Sequence, residues 1–120
     1  MSLDYTFEVE GDLLIVRTSG YDDDINEAVA YGEAIIKNCV EKQCSRLLVD
    51  ESGVTDVLDI VSQYQMVQRL RPLIPYQLSV AIVANPEHYQ DTSFGSMVAE
   101  NRGINVRVFT AIEDAMEWLK

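Results

Sequence analysis

The sequence is short of positive charge, and this shortage limits the partners it can bind. Nine lysines and arginines stand against twenty aspartates and glutamates, which gives a net charge of −11 at pH 7. Nucleic-acid binding depends on basic side chains that neutralise phosphates, and anionic membrane surfaces attract the same side chains. We therefore expect neither nucleic acid nor a membrane surface as a partner.

Long apolar runs are also missing. No segment approaches the roughly 18–20 consecutive apolar residues that cross a bilayer. Residues 1–5 lack the basic and apolar regions of a signal peptide. A cytoplasmic location without a membrane span is expected. The 120 residues, 48% of them apolar, predict a single domain over residues 1–120.

Cysteine and histidine are too few for common catalytic and metal sites. Cys39, Cys44 and the single histidine, His88, cannot supply the four soft ligands of a zinc site, so two free thiols are expected. Glycine-rich phosphate-binding motifs and the G-x-S-x-G nucleophile motif are absent. His88 has no evident nucleophile or orienting group beside it. We predict no enzymatic activity and no cofactor.

Acidic residues gather after the third predicted strand. Asp50, Glu51, Asp56 and Asp59 are placed near its carboxyl end, where open α/β sheets commonly bind ligands. Their oxygens suit Mg²⁺ or Ca²⁺, but a solvated acidic rim is the favoured interpretation. A phosphorylated receiver domain is disfavoured because it needs a lysine after the last strand, where Phe109 and Thr110 stand instead.

Hydrophobic periodicity predicts alternating strands and helices. Residues 5–10 and 13–18 form a hairpin around Gly11-Asp12, and a 3.6-residue apolar stripe makes a helix over 25–40, capped by Asp24. The remaining predicted strands are 46–50, 77–84 and 105–109, with 77–84 at the sheet centre. The second predicted helix spans 57–73 with Thr55 or Asp56 as its cap. A third helix ends near Gly103, and a fourth is opened by a capping box at Thr110. The order ββαβαβαβα predicts an α/β fold with a mixed, mainly parallel five-stranded sheet, about four helices and an antiparallel N-terminal hairpin.

Three of these features together resemble the SpoIIAA-like (STAS-like) superfamily of anti-sigma-factor antagonists. They are the leading hairpin, the R-L-L-V-D strand at 46–50 with its polar loop into a helix, and the tail from V-A-I-V-A-N to G-I-N-V-R-V-F-T-A-I-E-D-A-M-E-W-L. The similarity spans nearly the whole chain and implies a SpoIIAA-like fold. It also implies a regulatory role through protein contacts.

The resemblance further implies a phosphorylated serine or threonine at the start of the second helix. Leu58 and Asp59 stand at about that place here, so the phosphoacceptor is missing. Asp59 can imitate a permanently charged state. Ser52 and Thr55 are candidate displaced sites of modification.

The second predicted helix carries apolar residues outside its main stripe. The helical spacing assigns to the core face Val57, Ile60, Val61 and Tyr64. Other apolar residues of the helix then lie among polar neighbours. Apolar residues rimmed by polar groups are typical of contact surfaces. The predicted partner-binding residues are Leu58, Asp59, Ser62, Met66, Arg69 and Leu73.

Two hypotheses of function follow. The leading one is a non-enzymatic cytoplasmic regulatory module that binds a protein partner or a second copy of itself. The alternative is a domain that binds a small-molecule or lipid-like apolar ligand, because CRAL-TRIO lipid-binding domains have a related topology.

Overall fold

The computed structural model describes residues 2–120, which form five strands and four α-helices. The strands are β1 (Leu3–Glu10), β2 (Leu13–Gly20), β3 (Arg46–Val54), β4 (Ser79–Ala84) and β5 (Asn105–Phe109), and the helices are α1 (Ile25–Glu41), α2 (Ile60–Leu70), α3 (Tyr89–Glu100) and α4 (Ile112–Trp118). Short 3₁₀ turns follow α2 at Arg71–Leu73 and precede α3 at Pro86–His88. The predicted element order is confirmed.

The sheet has the order β1-β2-β3-β4-β5, with β1 antiparallel to β2 and the other pairs parallel. The hairpin turns at Gly11, whose φ of +63° suits glycine, and Glu10 pairs with Leu13. Three successive parallel crossovers run in one direction across the sheet. Because such crossovers are right-handed, they place α1, α2 and α3 on one face, which leaves the other face to α4.

The core therefore has two layers. The larger lies under the three crossover helices and includes Leu14, Tyr31, Val49 and Val106, while the smaller lies under α4 and includes Leu48, Val83 and Ala115. Alternate residues of β3 contribute to opposite layers, as the two-residue period of a strand requires. Within residues 2–120, no helix is long and apolar enough to cross a bilayer.

The predicted cap of α1 and the predicted free thiols are both confirmed. The Asp24 carboxylate accepts from the N–H groups of Asn26 and Glu27, which satisfies donors that an uncapped helix leaves unpaired. Glu27 does not close the capping box; it accepts from the N–H of Leu3 at 3.2 Å and so ties α1 to β1. Cys39 and Cys44 are buried free thiols, as predicted.

Several predicted boundaries and positions are wrong. The central strand is β3, and β4 is strongly apolar because neighbouring strands and packed helices cover it on every side. β3 runs on to Val54, because the edges of β2 and β4 continue to pair with it beyond Asp50. Helix α4 has Ala111, not Thr110, at its cap position, without a side-chain cap. The undecided segment 89–93 is the first turn of α3.

The start of α2 also differs from the prediction. Asp59 caps the helix by accepting from the N–H of Ser62 at 2.7 Å, so the helix begins at Ile60. Thr55 and Asp56 are equally good caps by residue type, but both are used elsewhere. The Thr55 hydroxyl donates to the carbonyl of Gly20, and the Asp56 carboxylate accepts from the N–H of Val57.

Candidate functional site

A hollow lies between the three crossover helices and the sheet, near the carboxyl ends of β3 and β4. It consists of two adjoining spaces of about 170 Å³ each, which share walls made by Tyr31, Glu51, Met66, Val67 and Val106. One space extends to Asp22 and the start of α2, and the other extends beneath α1. Apolar side chains make up most of the lining. The carboxyl edge of an open parallel sheet is the usual place for a ligand.

The strand period places a carboxyl group in this hollow. Leu47 and Val49 of β3 point toward the helices, and Glu51, two residues further on, takes the same side. The Tyr31 hydroxyl of α1 donates to Glu51 Oε2 at 2.9 Å and lies 2.6 Å from the Thr18 hydroxyl of β2. These hydrogen bonds join one helix to two strands.

Burial dominates the acid–base chemistry of this group. Loss of solvation raises the pKa of Glu51, although the hydrogen bond from Tyr31 acts in the opposite direction. Burial, followed by the charge of Glu51, raises the pKa of Tyr31 well above its usual value. At neutral pH, Tyr31 is therefore a neutral hydrogen-bond donor.

Asp22 is the second carboxyl group of the hollow. Its Oδ1 atom is buried and has no hydrogen-bond partner among residues 2–120. Burial first, and then the charges of Glu51, Glu27, Asp23 and Asp56, raises its pKa to about 7. At neutral pH, Asp22 therefore lies close to its midpoint between the charged and neutral forms.

The predicted acidic cluster does not converge. Asp50 accepts from the backbone and hydroxyl of Ser52, while Asp56 and Asp59 are bound to backbone N–H groups of their own segment. Only Glu51 turns into the hollow. Within residues 2–120, no three His, Cys, Asp or Glu side chains are arranged to hold a metal ion.

The candidate modification sites and His88 lie near one another at this end of the sheet. Ser52 and Thr55 are exposed and donate to Asp50 and to the Gly20 carbonyl, respectively. His88 Nε2 lies 2.9 Å from the carbonyl oxygen of Thr55, and Asn85 donates to the carbonyl of Val54. These two bonds fix the loop between β3 and α2. Modification of Ser52 or Thr55 stays a prediction.

The predicted exposure of Leu58 and Met66 is wrong. Leu58 is 5% exposed, and Met66 is half-buried in the shared wall of the hollow. Leu58 precedes the helix, which begins at Ile60, so helical spacing does not apply to it. The helix itself has two apolar sides, and the one that faces the sheet carries Met66 and Val67. Of the other predicted contact residues, Asp59, Arg69 and Leu73 are exposed and Ser62 is half-buried. Their role in partner binding stays a prediction.

Three apolar residues that the spacing had assigned to the core are exposed instead. Ile60 is 53% exposed, Val61 is 67% exposed and Tyr64 is 41% exposed. The outer side of α2 is therefore an apolar surface. A surface depression beside it is bordered by Asp56, Asp59, Ile60, Val61 and Asp91.

Sequence reasoning missed Tyr31, Asp22 and the inward turn of Glu51. Tyr31 lies one residue before Gly32, which belongs to the predicted apolar stripe of α1. Tyr31 could therefore have been included in that stripe. Residue type alone does not distinguish Asp22 from Asp23 and Asp24. Its environment is set by contacts with β3 and the following loop.

Comparison with known proteins agrees with this architecture. A crystal structure of an anti-sigma factor antagonist from Mycobacterium paratuberculosis superposes with a TM-score of 0.70 at 18% identity, covering 98% of this chain and 94% of that chain. The chain has the anti-sigma-factor antagonist fold. The expected SpoIIAA-like sheet with its N-terminal hairpin is thereby confirmed.

A further comparison is weaker. A STAS domain from Rhodobacter sphaeroides, described as an antisigma-factor antagonist, aligns over 98% of this chain and 96% of that chain at 13% identity. Its TM-score of 0.37 adds nothing to the assignment of the anti-sigma-factor antagonist fold. No protein-family model and no curated protein matches the sequence.

The corrected position of Leu58 can be tested by truncation. Leu58→Ala should lower the free energy of unfolding by about 2–5 kcal/mol because it opens a cavity beside the hollow. Leu73→Ala, at a residue 47% exposed, should change it by less than about 0.5 kcal/mol. Urea denaturation of both variants measures the difference. Equal, small effects would show that Leu58 lies on the surface.

The raised pKa of Asp22 predicts an unusual dependence of stability on pH. In the folded chain Asp22 keeps its proton up to about pH 7, whereas the unfolded chain loses it near pH 4. Its contribution to stability is therefore complete below pH 4 and is lost as the pH rises to 7. Asp22→Asn should be more stable than the parent chain by about 1–3 kcal/mol at pH 8, after allowance for partial solvent screening.

Urea denaturation of the parent chain and Asp22→Asn from pH 3 to pH 8 measures this gain, which should vanish toward pH 3. The matched control is Glu33→Gln, at an exposed acid of α1 whose charge does not act on Asp22, and little change is expected. A parent chain that becomes more stable relative to Asp22→Asn as the pH rises would contradict the assignment.

Proposed function

We propose that the chain is a non-enzymatic regulatory module that binds a protein partner through the outer side of α2. The observation that carries the proposal is the exposed apolar surface of Ile60, Val61 and Tyr64. The anti-sigma-factor antagonist fold supports a regulatory role of this kind. The expected cytoplasmic location agrees with such a role.

The charge around this surface defines the chemistry of the partner. Asp56, Asp59 and Asp91 border the depression next to Ile60 and Val61. A partner should therefore present apolar side chains surrounded by lysine or arginine. A second copy of this chain would place acid against acid, which disfavours a homodimer through this surface.

Asp59 supplies a fixed charge at the place where the resemblance implies a phosphoacceptor. Its bond with Ser62 lowers the pKa of its carboxyl group, so it is charged over the physiological range. We infer that partner binding here does not depend on phosphorylation of this position. The helix N-terminus stabilises the same charge.

The hydrogen bonds of the polar residues support a role without catalysis. The single histidine is bonded to the Thr55 carbonyl oxygen and so holds a loop. The Tyr31 hydroxyl is occupied by Glu51 and Thr18. A nucleophile paired with a base would need different contacts.

The hollow favours small-molecule binding as a second candidate function. Its two spaces of about 170 Å³ fall below the roughly 300–1,000 Å³ of pockets for drug-sized ligands. A lipid with long chains would not fit without movement of α2. A small fragment is the better match among the apolar ligands that the sequence predicted.

Substitution of Val61 tests the partner surface. The full chain, its Val61→Asp variant and its Val40→Asp variant are each used to capture partners from the source cells. Val40 is a matched control because it is 56% exposed and lies on α1. Val61→Asp should reduce the captured partner, and the affinity for that partner once purified, at least tenfold because it places a charge in the apolar contact. Val40→Asp should retain both.

A second variant separates charge from helix capping. Asp59→Asn keeps a side-chain acceptor for the Ser62 N–H but removes the negative charge. It should slow association and weaken its dependence on salt without changing stability greatly.

Equal partner binding by the parent chain and Val61→Asp would refute the proposed surface.

A further inference from the structure

The hollow combines apolar walls with two carboxyl groups at one end. Val57, Leu58 and Ile82 line the space that also holds Asp22 and Glu51. Among residues 2–120, neither space has a lysine, arginine or histidine in its lining. Within the part of the chain that the structure describes, the carboxyl groups of the hollow therefore have no positive partner.

Asp22 and Glu51 differ in how well they are satisfied. Glu51 receives a hydrogen bond from Tyr31, whereas Asp22 Oδ1 is buried and receives none from any residue between 2 and 120. A buried polar atom without a partner costs free energy that a ligand donor would recover. The unpaired oxygen of Asp22 thus marks where the polar end of a ligand belongs.

We propose that this hollow binds a small amphipathic amine, whose ammonium group pairs with Asp22 and Glu51 while one ring or a short alkyl chain lies against the apolar walls. An ammonium is the complementary group because its N–H bonds reach carboxylate acceptors and its charge offsets theirs. A carboxylate ligand would place a further acidic group beside two carboxyl groups. A hydroxyl ligand would donate one hydrogen bond and leave the negative charge uncompensated.

The size of the hollow fits a single ring. An engineered apolar cavity of about 150 Å³ holds benzene, and each space here is about 170 Å³. A ligand whose ring fills one space can place its amine next to Glu51 and Tyr31, which line both spaces. Compounds with two fused aromatic systems would have to displace α2 or α3.

Binding of an amine should be linked to proton release. Burial and the charges of Glu51, Glu27, Asp23 and Asp56 raise the pKa of Asp22 to about 7, so part of the Asp22 population is protonated at pH 7. The charge of Asp22 in turn raises the pKa of Tyr31. An incoming ammonium favours the charged carboxylate, so the proton on Asp22 Oδ leaves to the buffer. The affinity should therefore rise several-fold from pH 5 to pH 8, over which the amine itself stays protonated.

The test compares four molecules of one shape by calorimetry and by NMR chemical-shift mapping on the full chain. The probes are 2-phenylethylamine, 2-phenylethanol, 3-phenylpropanoate and ethylbenzene. The amine should bind at least tenfold more tightly than the alcohol, the carboxylate should bind most weakly, and shifts should centre on Tyr31, Glu51 and Met66. Proton release should appear as a dependence of the heat on the buffer.

Variants assign this preference to its residues. Asp22→Asn, which is expected to fold stably, should abolish the preference for the amine over the alcohol and leave the weak binding of ethylbenzene. Glu33→Gln, at an exposed acid of α1 outside the hollow, should keep the preference. Glu51→Gln should reduce it, with folding checked by circular dichroism.

Equal affinity for amine and alcohol would overturn the proposal. So would a preference for the amine over the alcohol that survives in Asp22→Asn, shifts that map to the exposed acidic residues, or no binding of any probe at millimolar concentration. Because the hollow lies on the inner side of α2 and Val61 lies on its outer side, these outcomes are independent of those for partner binding.

Discussion

The hydrogen bond between Tyr31 and Glu51 is the interaction on which the helix side of this structure depends. It holds a carboxyl group inside the larger core, at the end of the central strand, and through Thr18 it connects α1 to two neighbouring strands. Without the Tyr31 donor, the Glu51 oxygen would be left in an apolar environment at a cost of about 1–3 kcal/mol. An apolar residue in this place would need no hydrogen-bond donor, and our proposal gives Glu51 a role in ligand binding.

The two sides of α2 differ in their surroundings. Its inner side, with Met66 and Val67, closes the hollow over Glu51. Its outer side presents Ile60 and Val61 beside acidic residues to solvent. The ligand site and the contact surface that we propose would thus lie on opposite sides of the same helix. The loop before α2 lies between the inner and outer sides of the helix and ends with Leu58 and the Asp59 cap. Hydrogen bonds from His88 and Asn85 hold this loop.

The fold could be predicted from the sequence because its signals are local or periodic. The apolar strands, the Gly11-Asp12 turn and the Asp24 cap each identify an element without knowledge of its neighbours. The site depends on contacts distant in sequence. Glu51 follows an apolar strand and precedes Ser52 and Gly53, so it resembles a solvated strand end; only the pairing of β3 beyond Asp50 with both neighbours carries it inward. Thr55, Asp56 and Asp59 are all suitable caps of α2 by residue type. The helix also has apolar residues on two sides, and the spacing alone does not show that Met66 and Val67, and not Ile60, face the core.

A direct measurement of the carboxyl groups of Glu51 and Asp22 tests the central claim that the hollow holds buried acids. Their side-chain carboxyl carbons can be followed by ¹³C NMR from pH 3 to pH 9 in the parent chain and in Tyr31→Phe. Both groups should titrate above their ordinary range, Asp22 near pH 7. Loss of the Tyr31 donor should raise the pKa of Glu51 further, since that bond favours its charged form. Titration of both groups near pH 4, unchanged in Tyr31→Phe, would contradict the account.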